Sequence, residues 1–172
     1  QKGTDARRPT SGSNEEGSKG EGFFQQPLAY LQTLTWLMLG AVFLQALAGG
    51  LVSSNYAGLA CPDFPKCLGE WIPPLEGLVR FQFIHRVGAL ISTLVILAWV
   101  LLVLNQYSQV PRRLKVGVKV VPCLLILQIA LGIASIYFEL PVLFSVAHLA
   151  VATALFGKIL MMAHFVTRFS NC

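Results

Sequence analysis

Charge is what this chain has least of. Only 12% of its 172 residues are Asp, Glu, Lys or Arg, and the mean hydropathy is +0.64. An ordinary soluble domain carries about 25% charged residues, so that class is excluded. Sustained in-out alternation is also missing. Lipid tolerates only helices or closed barrels, so strands are a poor choice for the spanning elements. The basic residues form no clustered face, which removes nucleic acid as a partner. Cysteines number four and histidines three, and no second Cys or His pair lies near Cys61 and Cys67, which argues against zinc.

Apolar sequence is what the chain has in quantity. Leu28 to Val52, Phe81 to Leu104, Val116 to Phe138 and Pro141 to Phe165 each approach or exceed the roughly 20 residues that carry a helix through a bilayer. These lengths predict an all-α membrane protein, a four-transmembrane-helix bundle spanning residues 28–168. Residues 1–27 are then a disordered polar tail and residues 169–172 a short C-terminal one. The opening "QKGTDARRPTSGSNEEGSKGEG" has no large apolar side chain with which to order itself, and it lacks the shape of a cleavable signal.

Basic residues set the expected orientation. Arg112, Arg113 and Lys115 lie between helices two and three, Arg7, Arg8 and Lys19 in the tail, and Arg168 after helix four. The positive-inside rule puts these on the cytoplasmic side, with both termini, of a bacterial-type inner membrane or its equivalent. The loop over residues 53–80 then faces outward. Cys61 and Cys67 stand six positions apart in it, where an oxidising compartment allows a disulfide. Closing so short a loop stabilises by roughly 2 to 2.5 kcal/mol on a chain-entropy estimate. A structural staple and a redox role both stay open for this pair. Cys123 reads as a buried small hydrophobe within helix three, and Cys172 as a tail residue.

All three histidines fall in apolar segments, where an ionisable side chain is costly and suggests function. His85 lies roughly 7 Å past the outer end of helix two, and His148 roughly 10 Å past that of helix four. Both helices run from outside to inside, so the imidazoles share a depth, the arrangement that holds haem iron inside a four-helix bundle. His164 lies roughly 24 Å further along helix four and about 160° around it. It has no partner histidine for a second haem and reads as an interfacial residue.

An internal repeat supports the pairing. "LQALAGGLV" in helix one echoes "LQIALGIAS" in helix three, aligning Leu44, Gln45 and Gly49 with Leu127, Gln128 and Gly132. Each motif precedes an outer connection and then a helix with a histidine near its start, so two helix hairpins would flank a central cofactor. Gln45 and Gln128 are expected to hydrogen-bond across the bundle or to orient a ligand. Arg86 suits either a haem propionate or the headgroup region.

"SSNYAGLACPDFPKCLGEWIP", "FQFIHR" and "LQIALGIASIYFELPVLFSVAHLAVATALFG" resemble the haem A synthase family over residues 36–165. Full-length members of that family contain two four-helix bundles: the N-terminal one is implicated in acting on haem O, and the C-terminal one holds haem b between two histidines. The resemblance is closest to the C-terminal bundle. It implies haem b bound by His85 and His148 as axial iron ligands, a Cys61–Cys67 disulfide, and a link to oxidation of the haem O methyl group. In the family's catalytic half a Glu stands three positions before the first histidine, where this chain has Gln82. A non-catalytic b-type cytochrome, or an anchor subunit of a larger respiratory complex, is the alternative, and homo-oligomers or complex subunits are the expected partners besides lipid and haem.

Overall fold

The computed structural model describes residues 15–106, 108 and 110–170. Four helices account for most of them: α1 (Glu15–Ser54), α2 (Val79–Asn105), α3 (Arg112–Tyr137) and α4 (Val142–Ser170). All four contain spans long and apolar enough to cross a membrane, beginning at Ala29, Val79, Arg112 and Val142. Helices satisfy every backbone donor and acceptor within the segment, the condition a hydrocarbon core imposes. This is the all-α membrane bundle expected from hydropathy.

Helical backbone also replaces the expected tail over residues 15–27, because adding a residue to an existing helix costs far less than starting one. Residues 1–14 and 171–172, Cys172 among them, lie outside the described residues.

Short α2–α3 and α3–α4 connections and a long α1–α2 loop join the helices into a bundle. Among the described residues α1 packs on α2 and α4, and α3 packs on α4 and α2, while the diagonal pairs α1/α3 and α2/α4 make no close backbone approach. The α3–α4 turn is tight, with Glu139 and Leu140 both in the left-handed region at φ 58° and 60°. At the same end lies the long α1–α2 loop, and the two together define the loop end of the bundle.

The apolar core sits at the opposite end. Leu31, Thr35, Met38 and Val42 of α1 are buried there, as are Leu114, Val118, Val121 and Leu125 of α3. Their alternating spacings of four and three match the seam of a left-handed bundle. Trp99 of α2 is completely buried, and its indole N–H donates to the Thr35 hydroxyl at 2.9 Å. Thr35 in turn donates to the Leu31 carbonyl. The end of the Met162 side chain on α4 fills the space beside Gly117 of α3.

Candidate functional site

Continuing the same inward stripes toward the loop end changes their chemistry. On α1 the next positions are Gln45, Gly49 and Val52, and on α3 they are Gln128, Gly132 and Ser135. On α2 the stripe passes through Ser92 to His85 and Gln82, and on α4 it reaches His148. His85 and His148 each lie six residues after the first residue of their helix, about 9 Å along the axis. They stand on the diagonal pair of helices.

Each imidazole is seated by the other helix of its hairpin. A Cβ on Gly49 would stand 3.1 Å from His85 Cε1, and one on Gly132 would stand 3.0 Å from His148 Cε1. Gln45 Nε2 donates to the His85 carbonyl at 2.9 Å and lies 3.0 Å from His85 Nδ1. Gln128 Nε2 lies 3.1 Å from His148 Nε2, and the Gln128 carbonyl lies 3.1 Å from His148 Nδ1. The repeat seen in the sequence is thus a repeat of contacts.

The two rings differ in proton placement. A carbonyl oxygen only accepts, so His148 carries its proton on Nδ1 and keeps a lone pair on Nε2, which the Gln128 amide N–H meets. At His85 the Gln45 amide N–H meets Nδ1, so there Nδ1 holds the lone pair. Gln45 Oε1 and Gln128 Oε1 are buried without partners. The two-imidazole set suits a metal already held by a macrocycle. Among the described residues no group of three or more His, Cys, Asp or Glu side chains is placed to hold a bare ion.

Above His85 the loop folds around Arg86. Arg86 Nη1 donates to the carbonyls of Asp63 at 2.8 Å and Lys66 at 2.6 Å, and Nη2 donates to that of Cys61 at 2.6 Å. Its Nε–H is buried without a partner. Cys61 and Cys67 form a disulfide. The Asp63 carboxylate accepts from the backbone N–H groups of Leu68 at 2.7 Å and Gly69 at 2.9 Å. The Gly69 N–H, then those of Leu68 and of Asp63 itself, with the charge of Arg86, hold the Asp63 carboxyl below its ordinary range. Gln82 is buried and donates to the Gly58 carbonyl at 3.2 Å, tying the loop to α2.

The remaining sequence-based expectations fare unequally. His164 is exposed on α4 and stands apart from the other histidines. Cys123, expected to be buried, is exposed: Val121 and Leu125 point into the core, and the residue midway between them faces outward. Reasoning from Arg86 as a single residue missed its three loop carbonyls. The inward stripe of fours and threes, continued through Gly49 and Gly132, is the signal that would have singled out both glycines as ring-facing.

A four-helix membrane bundle with two matched Gln–Gly–His sets on one level defines the class of protein. The family model described as "Cytochrome oxidase assembly protein" matches residues 24–160. "Heme A synthase" of Shewanella oneidensis is 33% identical over 164 residues, covering 79% of this chain and 48% of the relative. "Heme A synthase COX15" of Mus musculus is 30% identical over 164 residues, covering 84% of this chain and 39% of the relative. The corresponding protein of Halalkalibacterium halodurans is 30% identical over 121 residues, covering 70% of this chain and 40% of the relative. This chain belongs to the haem A synthase family and is an integral membrane protein. It spans about half or less of the length of these relatives.

Proposed function

We propose that this chain is a haem b-binding bundle of the haem A synthase type, with His85 and His148 as the two axial ligands. The observation that carries this is the duplicated Gln–Gly–His set, at equal depth on opposed helices, in the half of the bundle without a close-packed apolar core. Buried amide oxygens without partners and ring-facing glycines fit a planar macrocycle lying between the hairpins. Bound haem supplies one-electron redox chemistry at its iron. The protein's share is to present the two imidazoles at one level and to fix the His148 tautomer through the Gln128 carbonyl. Arg86 Nε–H is the donor left over for a propionate carboxylate.

The relatives' names point to haem A biosynthesis, and the resemblance of the sequence implies oxidation of the haem O methyl group or electron transfer supporting it. The chain spans about half of those relatives or less, so the part proposed for it is that of one haem-holding bundle. The loop end faces the outer compartment and both termini the cytoplasm, following the basic residues at the α2–α3 end.

A non-catalytic b-type cytochrome is the second reading, and Gln82 favours it. This buried amide cannot ionise and is engaged by the loop backbone. Purified protein loaded separately with haem b and haem O, then analysed by pyridine haemochrome and mass spectrometry, separates the readings. Conversion of haem O to an oxidised product supports the synthase role. Stable haem b binding with unaltered haem O supports the cytochrome, and a folded protein that takes up neither overturns both.

A further inference from the structure

We infer that the Cys61–Cys67 disulfide and the His85 site are thermodynamically linked through Arg86, a positioning residue between them; this rests on the two-histidine haem reading above. Arg86 directly follows His85 on α2, so the backbone that carries the guanidinium also carries the imidazole. The guanidinium is held by three carbonyls from a single short stretch, those of Cys61, Asp63 and Lys66. Carbonyls so near in sequence converge on one cation only where the chain is curled back on itself.

Three features supply that curl. The disulfide brings the Cα atoms of Cys61 and Cys67 to 4.7 Å. A reciprocal pair of backbone bonds joins Cys67 and Glu70 at 2.9 and 3.1 Å. Asp63 ties the remaining edge through Leu68 and Gly69. Opening the disulfide removes the only covalent member, so the carbonyl seat spreads and Arg86 loses its fixed position one residue from the ligand.

The loop also reaches across the mouth of the site. Gly58 accepts from Gln82, and a Cβ on it would stand 2.7 Å from a Leu140 methyl in the α3–α4 turn. Loosening the loop therefore reaches both hairpins. Linkage is reciprocal: if a closed disulfide favours haem, bound haem favours the closed disulfide by the same factor.

The reducing step is ordinary thiol exchange. One thiolate of dithiothreitol attacks a cystine sulfur, and its second thiol resolves the mixed disulfide. Two electrons and two protons leave Cys61 and Cys67 as thiols, and the reagent leaves as its cyclic disulfide.

The test uses the full chain in nanodiscs. Cysteine oxidation is read by alkylation and mass spectrometry across a series of dithiothreitol redox buffers, with and without haem b. Haem is expected to shift the wild-type opening midpoint by on the order of tenfold in the thiol-to-disulfide ratio, and to shift it far less in Arg86→Gln. In equilibrium partition of haem against apomyoglobin, Arg86→Gln and the pair Cys61→Ser/Cys67→Ser should each weaken retention by a similar factor. Their combination should be no weaker than either alone. Additive losses, or a wild-type midpoint indifferent to bound haem, would overturn the linkage while leaving the haem reading intact. A folded wild type that takes up no haem would overturn both.

Discussion

Along α1 the inward stripe reads Leu31, Thr35, Met38 and Val42, then Gln45, Gly49 and Val52; along α3 it reads Leu114, Val118, Val121 and Leu125, then Gln128, Gly132 and Ser135. One half of the bundle is closed by interlocking side chains, and the other is lined by amides, glycines and imidazoles. Geometry does not separate the halves, because the same spacing of fours and threes runs through both. Side-chain volume and polarity do. Within lipid, helices associate through close packing rather than through exclusion of water, so the packed half can fix helix positions while the polar half stays adapted to a guest. The loop end is then held by its polar ties: Gln45 and Gln128 to the rings, Gln82 to Gly58, and Arg86 to the loop carbonyls.

Substitutions should respect this division. The largest effect belongs to the imidazoles: His85→Ala and His148→Ala should each abolish the two-histidine absorption spectrum while the helix content by circular dichroism stays at the wild-type level. Trp99→Ala should do the reverse. Emptying the core costs about 3 to 5 kcal/mol in a detergent unfolding titration, with the haem spectrum of the folded fraction unchanged. Loss of haem from the Trp99→Ala protein under folding conditions would contradict the independence of the two halves.

Smaller changes sharpen the boundary. Gly49→Ala and Gly132→Ala place a methyl group 3.1 and 3.0 Å from an imidazole carbon, and each should weaken haem retention by roughly tenfold through a displaced ring. Gly40→Ala and Gly157→Ala meet nothing within 4 Å. They should leave retention unchanged and gain up to about 1 kcal/mol of helix stability.

The smallest expected effect is at Asp63. Its folded pKa lies below the ordinary 3.8, so its contribution to loop stability is present above that pH and is lost as pH falls through the lower folded value. Hydrogen exchange at the Leu68 and Gly69 amides should therefore stay slow at pH 5 and quicken only below the ordinary carboxylate range. Asp63→Asn should show fast exchange at both pH values. Equal exchange in both proteins would remove Asp63 from the set of loop ties.

Much of this was legible in the residues themselves. A bilayer demands long apolar helices, so Val79–Asn105 and Val142–Ser170 announce themselves by hydropathy. An imidazole inside such a helix stands out for the same reason, and the Leu–Gln and Gly repeat exposes the pairing of hairpins. The carbonyl seat of Arg86 was not legible. It is made of backbone atoms 20 to 25 positions away, and carbonyls carry no sequence signature. The outward face of Cys123 was hidden because hydropathy does not tell lipid-facing from core-facing positions; the spacing of Val121 and Leu125 does.

Electron paramagnetic resonance of the ferric, haem b-loaded protein, with each histidine variant alongside, addresses the central claim most directly. Two-imidazole ligation predicts a low-spin signal in the wild type and its loss in both His85→Ala and His148→Ala. A wild-type signal that survives either substitution, or that is high-spin from the outset, would contradict the assignment of the loop end as a two-histidine haem site.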